Sequence, residues 1–599
     1  MKKKLVSLFL VFMMIFSLVL SSCSLNSTDG GQVGSDSDDG GVEDFSNRTP
    51  MTLTLWLPAG AGTTEDAVKR VEAKINEVLK SSYTTSIELK VFDEDKYEAA
   101  VLEKIEKLEQ KLEDDRIAES ISRQIAQSLR QEGITTVGTT ASDESETAPQ
   151  TFKNEYDMSE MVYPAVGEYQ FDIFLITNYD TYINLIDRDA LMSLDEYING
   201  SAKLLKSYIY PSFLDAVKFY NDSVYAIPNN HGMGHYKFLL TNKELVNKYD
   251  YDADEFHTNG TIAKCEEFIR DVAKLEDDPD VTPLLSWVDP AGMTYWSNDG
   301  SWSALASIVG NDSTFSSKGT ISNIFTMNEY KSNFKLMKEF QEEGIIAENP
   351  DDVKKFAVGV IEGDSLEAVK AQYGDEYDIS IFEYPKATQE ELFTGAFAVS
   401  AATRDLKRAM EVITTINTDS TVRNLLQYGV EGVHYNRDDE GRVVRVRDEN
   451  GNSEYNMNIL YTGNTYIAYP EEGMAANQWE IDKQRNLDTI FTPFTYCPGL
   501  RNESNAANYA EITKLSADLY KRLMETPLED LDEFFTSSAS ELNKNEMFTN
   551  MSGTTWEYGV NTIYTNFYKE KFAEDDEGDE GGSGDEGGSG DEGGDAANE

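Results

Sequence analysis

The sequence predicts an α/β protein of two doubly wound lobes, and three observations carry that prediction. Two strand-length apolar runs, TLTLWL at 52–57 and IELKVF at 87–92, flank a helical stripe. A third run, FDIFLI at 171–176, restores the same sheet after a long helix and a loop. Beyond VYAIP at 224–228, a separate set of strand and helix patterns begins. Strands alternating with helices of this length build parallel sheets covered on both faces.

Taken in order, residues 1–22 form an export signal. Lys2, Lys3 and Lys4 give a positive start, Leu5 to Leu20 an apolar stretch too short for a dedicated membrane anchor, and Leu20-Ser21-Ser22-Cys23 a cleavage box. The spacer 23–49 is rich in Ser, Gly and Asp and has little to bury. In the body, Val68, Val71, Ile75 and Leu79 share one face of a helix expected over 65–79. A long charged helix follows, with Leu102, Ile105, Leu108, Leu112, Ile121, Ile125 and Leu129 near helical spacing, ending around Gly133. Residues 134–165 lose periodicity and read as a loop. After FDIFLI, Leu185, Ile186, Leu191 and Leu194 pack a loop and helix back on the sheet.

The second lobe is expected from a strand at 237–242 through helices at 265–275 and 330–343 to about Leu392. GAFAVSAAT (395–403) is a strand of small and apolar residues, followed by helices at 406–416 and 422–428. The latter is capped by Asp419 or Ser420 and stopped by Gly429. The last residues, 573–599, form an acidic Gly/Ser-rich tail in which DEGGSG repeats every six residues.

The net charge is −56, and residues 5–573 alone carry 49 basic against 96 acidic groups. Such a surface repels phosphate backbones, so no nucleic acid is expected as a partner. Three cysteines are too few and too far apart for a disulfide framework, and Cys265 and Cys497 are expected as two buried thiols, with a single bridge between them the alternative. No Walker loop, zinc helix or nucleophile elbow occurs, so no catalytic residues, metal site or cofactor are expected.

The box ending at Cys23 resembles the bacterial lipobox, which implies a diacylated Cys23 anchoring the chain to the outer face of the cell membrane. The body resembles the extracellular solute-binding proteins of ATP-driven sugar importers, the family that includes maltose-binding protein. The resemblance is carried by LTLWLPAG, DIFLITNYDTYINLIDRDALMSLDEYI, VYAIPNNHGMGHYKFLLTNKELVNKYDYD, FAVSAATRDLKRAMEVITTINTDSTVRNLLQYGVEGVHY and TGNTYIAYPEEGM, in family order. It implies a type II periplasmic-binding-protein-like fold with a hinge and an interlobe cleft. The first lobe would be 50–227 and 395–465, with 93–168 an insertion, and the second 228–394 and 466–572. It further implies a monomer that captures an oligosaccharide or other small solute for an ABC-type permease.

Ligands of open α/β sheets sit beyond the carboxyl ends of the strands, which places Trp56 to Gly60 and Thr177 to Asp180 at one rim. Sugars need aromatic platforms bordered by amides and carboxylates. Trp56, Asn178, Tyr179, Asn229 and Asn230 are of those types. In the second lobe, SWVDPAGMTYWSNDGSWSAL concentrates Trp287, Tyr295, Trp296 and Trp302, and Trp479 falls where the last crossover returns. His231 and His235 in HGMGH suggest a zinc pair, but the glycines at 232 and 234 oppose a helix, so His231 is expected at the hinge or cleft. Glu431 and His434 form either a polar pair near the cleft or a helix-terminal hydrogen bond. A peptide or other non-sugar solute is the alternative ligand, and a surface glycoside hydrolase with two paired carboxyls is a further one.

Overall fold

The computed structural model describes residues 48–131, 162–218, 223–258, 260–290, 295–296, 305–308, 321–491 and 506–544. The export signal with Cys23, the spacer, most of the expected loop at 134–165, Trp302, Cys497 and the acidic tail lie outside the described residues. In chain order the principal elements are β1 (Met51–Ala59), α1 (Glu65–Tyr83), β2 (Thr85–Asp93), α2 (Glu94–Gln131), β3 (Ile173–Ile176), α3 (Tyr179–Asp187), β4 (Ala226–Pro228), β5 (Tyr236–Asn242), α4 (Glu266–Leu275) and β6 (Val281–Leu284). They continue with α5 (Asn328–Glu342), β7 (Lys355–Gly363), β8 (Tyr377–Glu383), β9 (Lys386–Ala387), α6 (Gln389–Phe393), β10 (Ala396–Val399), α7 (Leu406–Thr418) and α8 (Ser420–Tyr428). The chain closes on α9 (Gln478–Asp488), β11 (Ile490–Phe491), α10 (Ala506–Glu525) and α11 (Leu531–Leu542).

The first sheet has the order β2-β1-β3-β10-β4. Strands β1, β2 and β3 are parallel, while β10 runs antiparallel between β3 and β4. Local chemistry explains its neighbours. Thr64 caps α1 by accepting from the Ala67 amide at 3.2 Å, with Glu65 and Asp66 in the favourable first turn. Val68, Val71, Ile75 and Leu79 are buried on one face, and Asn76 ties the helix to β2 through both the amide and the carbonyl of Ile87. Asp419 caps α8, and Gly429 ends it at φ 81°, a conformation that favours glycine.

The second sheet has the order β8-β5-β7-β6, with β5 antiparallel to both β7 and β8. It carries separate apolar clusters, one around Phe256, Phe268, Met337 and Phe340, the other around Phe238, Phe356 and Tyr377. The C-terminal helices join this lobe: Phe535 of α11 packs on Tyr330 and Phe334 of α5, and Lys338 donates to the Met524 carbonyl at 2.8 Å. Cys265 is buried and free, and burial pushes its thiol up to about 12.

Two expectations about boundaries change. Residues 93–168 were expected as an insertion, yet Tyr97, Val101, Ile105 and Leu108 of α2 are buried in the first-lobe core. Tyr97 accepts from the Leu175 amide and donates to the Trp56 carbonyl, so the opening turns of α2 belong to the lobe. Leu392 and Phe393, expected in the second lobe, also pack in the first-lobe core, with Phe393 4.6 Å from the Tyr182 ring.

Asp172 fastens the first sheet to the turn after β10. Its fully buried carboxylate accepts from the Thr54 amide (2.9 Å), Gln170 Nε2 (2.8 Å) and Thr403 Oγ1 (2.8 Å). Asp172→Asn would turn an amide donor toward these donors and is expected to lower stability by about 1 to 3 kcal/mol, read from the denaturant midpoint.

Candidate functional site between the lobes

Three crossings join the lobes. The first runs from Asn229 to His235, leading β4 into β5. The second carries β9 and α6 back to β10, and the third follows α9 into β11. Strands β9 and β11 pair in parallel, Lys386 opposite Ile490 and Ala387 opposite Phe491. The pairing registers put the carboxyl ends of β1, β2, β3 and β4 on the crossing side of the first sheet. In the second sheet, the carboxyl ends of β6, β7 and β8 lie beside the start of β5 and therefore face the crossings too. Both sheets thus present to one hinge the edge at which open α/β sheets bind ligands.

The first-lobe edge is closed by segment 454–465. The Gly60 amide donates to the Asn456 carbonyl at 2.8 Å, and a Cβ on Gly60 would stand 2.6 Å from Asn456 Nδ2. Asn229 donates from its backbone to Gly395 at 2.9 Å and from its side chain to the Leu460 carbonyl at 2.8 Å. Asn230 accepts from the Tyr210 amide at 2.9 Å and donates to the Tyr208 carbonyl, while its own carbonyl accepts from the Thr465 amide. Both asparagines are buried and hold the edge together.

The remaining sequence-derived residues divide clearly. Trp56 is only 8% exposed, its ring packed between Phe92 (4.7 Å) and Phe171 (4.9 Å). Tyr179 is buried against Phe393. Asn178 is half-buried and caps α3, accepting from the Thr181 amide. Trp287 follows β6 on the crossing side, half-buried, its ring 5.5 Å from Phe334. Trp479 of α9 donates to the Ala468 carbonyl at 2.8 Å. Tyr295 and Trp296 lie on a two-residue strand opposite Ile308 and Ser307, and their side chains are outside the description. His434 accepts from the Val430 amide at 2.8 Å, the helix-terminal bond, while Glu431 pairs with Arg437 at 3.0 Å.

The polar centre of the hinge joins His231, expected at the hinge or cleft, to partners in α6 and α9 that the sequence analysis did not single out. His231 is buried, with Nδ1 3.1 Å from the Gly232 carbonyl and Nε2 3.2 Å from the Glu391 carbonyl. Asn486 of α9 accepts from the Met233 amide at 2.9 Å and donates to the His231 carbonyl at 2.7 Å. Glu391 accepts from the Gly234 amide at 3.0 Å. Arg485 pairs with Asp482 at 3.0 Å and with Asp364 at the end of β7, and Asp364 also meets His235 at 3.0 Å. Hydrogen bonding to His235 holds the Asp364 carboxyl below its ordinary value, and the same bond raises His235. Burial pushes Asp482 up. HGMGH is the only sequence signal of this centre, because its partners stand over a hundred residues away in chain. Among the described residues no group of three or more His, Cys, Asp or Glu is placed to hold a metal ion.

Fold and hinge together define a two-lobed α/β protein whose strand edges converge on an interlobe hinge. No family model matches the chain. A carbohydrate ABC transporter substrate-binding protein of Streptococcus pneumoniae is 24% identical over 331 residues, which is 52% of this chain and 64% of that relative's length. Among solved structures, an N-glycan transport solute-binding protein of S. pneumoniae superposes with a TM-score of 0.49 at 14% identity, covering 87% of this chain and 100% of the other. An HMO-binding, ABC-transporter-associated solute-binding protein of Bifidobacterium longum infantis gives 0.46 at 12% identity, covering 87% and 99%.

Proposed function

We propose that this chain is an extracellular solute-binding protein that captures an oligosaccharide between its lobes and delivers it, chemically unchanged, to an ABC-type importer. The observation that carries the reading is the convergence of the carboxyl-end edges of both sheets on three crossing segments, the arrangement needed for lobes that close over a solute. The similarity to a carbohydrate substrate-binding protein supports the solute class. Acylation at Cys23 tethers a monomer to the membrane, and Asn178 and Trp287 are the best placed of the sequence-derived residues to meet ligand. A closed, ligand-filled cleft presents the permease with a surface that the open form lacks.

Thermal shift of the full chain against neutral and charged oligosaccharides, with amino acids and short peptides as controls, tests the class. A ligand at a hundred times its Kd is expected to stabilise the fold by about 2.7 kcal/mol. A response to peptides with none to any saccharide overturns the sugar assignment. Release of shorter sugars from the hit overturns the non-enzymatic one.

A further inference from the structure

On the crossing-side edge of the second sheet, one histidine is held by a single ring nitrogen. The register pairs Gly363 of β7 with Tyr236 of β5, so the next residues past the ladder, Asp364 and His235, stand opposite each other as cross-strand neighbours. His235 Nδ1 lies 3.0 Å from Asp364 Oδ1. A carboxylate only accepts, so Nδ1 carries the hydrogen of that bond and Nε2 is left over. No described residue bonds Nε2, and 55% of the side chain is exposed.

An exposed ion pair ordinarily holds its partners loosely. This one is braced from behind. Asp364 also pairs with Arg485 of α9, whose side chain is only 6% exposed and which Asp482 holds at 3.0 Å. Gln478, a turn before Asp482 on α9, donates to it at 3.1 Å and lies 3.5 Å from Asp364 Oδ2. The imidazole is thus aimed by a carboxylate that is itself fixed, which is how a supporting layer of hydrogen bonds presets a contact residue. The other three histidines are spent inside the fold: His231 on the Glu391 carbonyl, His257 between Thr241 and Ser380, and His434 on the Val430 amide.

Strand order gives the pair its place. In the sheet β8-β5-β7-β6 the first two crossings attach at β5 and β8, so β7 and β6 lie away from them. Asp364 follows β7 and Trp287 follows β6, which sets the His235–Asp364 pair between the hinge and Trp287 along the edge where open α/β sheets bind ligands. A hydroxyl group both donates and accepts, so it suits Nε2 as the lone pair of a neutral ring or as the N–H of a charged one. We infer that His235 is a ligand-contacting residue, its Nε2 bonding a hydroxyl of the captured saccharide, with Asp364 and Arg485 as positioning residues. The inference deepens the proposed function and rests on its sugar reading.

Two measurements on the full chain test it. Oligosaccharides of glucose, galactose, mannose and uronic acids are screened by thermal shift, and the one with the largest shift serves as the probe. In the first measurement, diethyl pyrocarbonate acylates accessible histidine nitrogens near neutral pH, and peptide mass spectrometry reads each site. His235 is expected to be labelled in the free chain and to lose most of that labelling when the probe saturates it. The second is calorimetric titration of the probe into variants. His235→Asn reproduces Nδ1 and its bond to Asp364 but has nothing at Nε2, and is expected to raise the Kd about tenfold, the worth of one hydrogen bond. His235→Gln, whose amide reaches the Nε2 position, is expected to recover part of that loss. Unchanged His235 labelling at saturation, or a parental Kd in His235→Asn, overturns the contact and leaves sugar capture standing. Failure of every saccharide to stabilise the chain removes the sugar reading and this contact together. Labelling uses the unmodified chain, so it decides even where a variant fails to fold.

Discussion

Arg423→Ala is expected to lower stability by about 3 to 5 kcal/mol, the summed cost of leaving buried oxygen acceptors unpaired at roughly 1 to 3 kcal/mol each. Arg423 of α8 is fully buried, and among the described residues its partners are uncharged oxygens. Its Nε donates to the Asn464 carbonyl and Nη2 to the Ile459 carbonyl, both at 3.0 Å, and Nη1 to Gln427 Oε1 at 3.3 Å. Gln427 in turn donates to the Met457 carbonyl at 2.8 Å. Burial pulls the guanidinium down to about 10, so it stays charged at neutral pH and spends its fork on main-chain oxygens. Segment 454–465 is thereby held over the first-lobe edge, where it meets Gly60, Asn229 and Asn230. Alanine would leave several buried acceptors unpaired at once. The measurement is the denaturant midpoint, with Arg423→Lys expected to recover only part of the loss because an ammonium cannot span the two carbonyls in one plane. A midpoint within 1 kcal/mol of the parent would remove Arg423 from this role.

Gly232→Ala is expected to cost about 3 kcal/mol and to disturb the hinge more than either lobe. A Cβ at this position would run into the Arg485 guanidinium and stand 2.9 Å from the Asp482 carboxyl carbon. Arg485 is nearly buried and bridges Asp482 to Asp364, so its displacement breaks two ion pairs in a site with little water. Gly234 has a separate reason: its φ is +58° and a Cβ would lie 2.7 Å from the Lys386 amide nitrogen and carbonyl oxygen. The pattern HGMGH therefore reports close approach of crossing strands. Hydrogen exchange at β9 and β11 should rise in Gly232→Ala while α1 and β2 keep parental protection. Equal loss across the chain would mean that the lobes themselves had been weakened.

Much of the fold was legible because its signals are local. The stripe Val68, Val71, Ile75 and Leu79 gave α1, Asp419 and Gly429 bounded α8, and FDIFLI marked the third strand of the first sheet. The site was less legible. Trp56 and Tyr179 have the chemistry of sugar platforms and follow or lie on the right strands, but residue type does not reveal which face of a strand is covered, and here Phe92 and Phe171 enclose Trp56 while Phe393 of α6 packs on Tyr179. Asn229 and Asn230 have the amide chemistry of ligand contacts, but the folded chain engages their side chains with the main chain of Leu460, Tyr208 and Tyr210. Arg485, Asp482 and Asn486 sit in QWEIDKQRNLD, which reads as a polar surface helix; their burial depends on partners that only the folded chain brings near. Strands β9 and β11 have two residues each, too few to show any period.

Small-angle X-ray scattering of the full chain with and without a saturating saccharide, identified by thermal shift and recovered intact, tests capture between the lobes most directly. The account predicts that the radius of gyration falls on binding as the lobes close about their crossings. An unchanged scattering profile at saturation would contradict it, placing the sugar on one lobe and leaving the hinge without a part in capture.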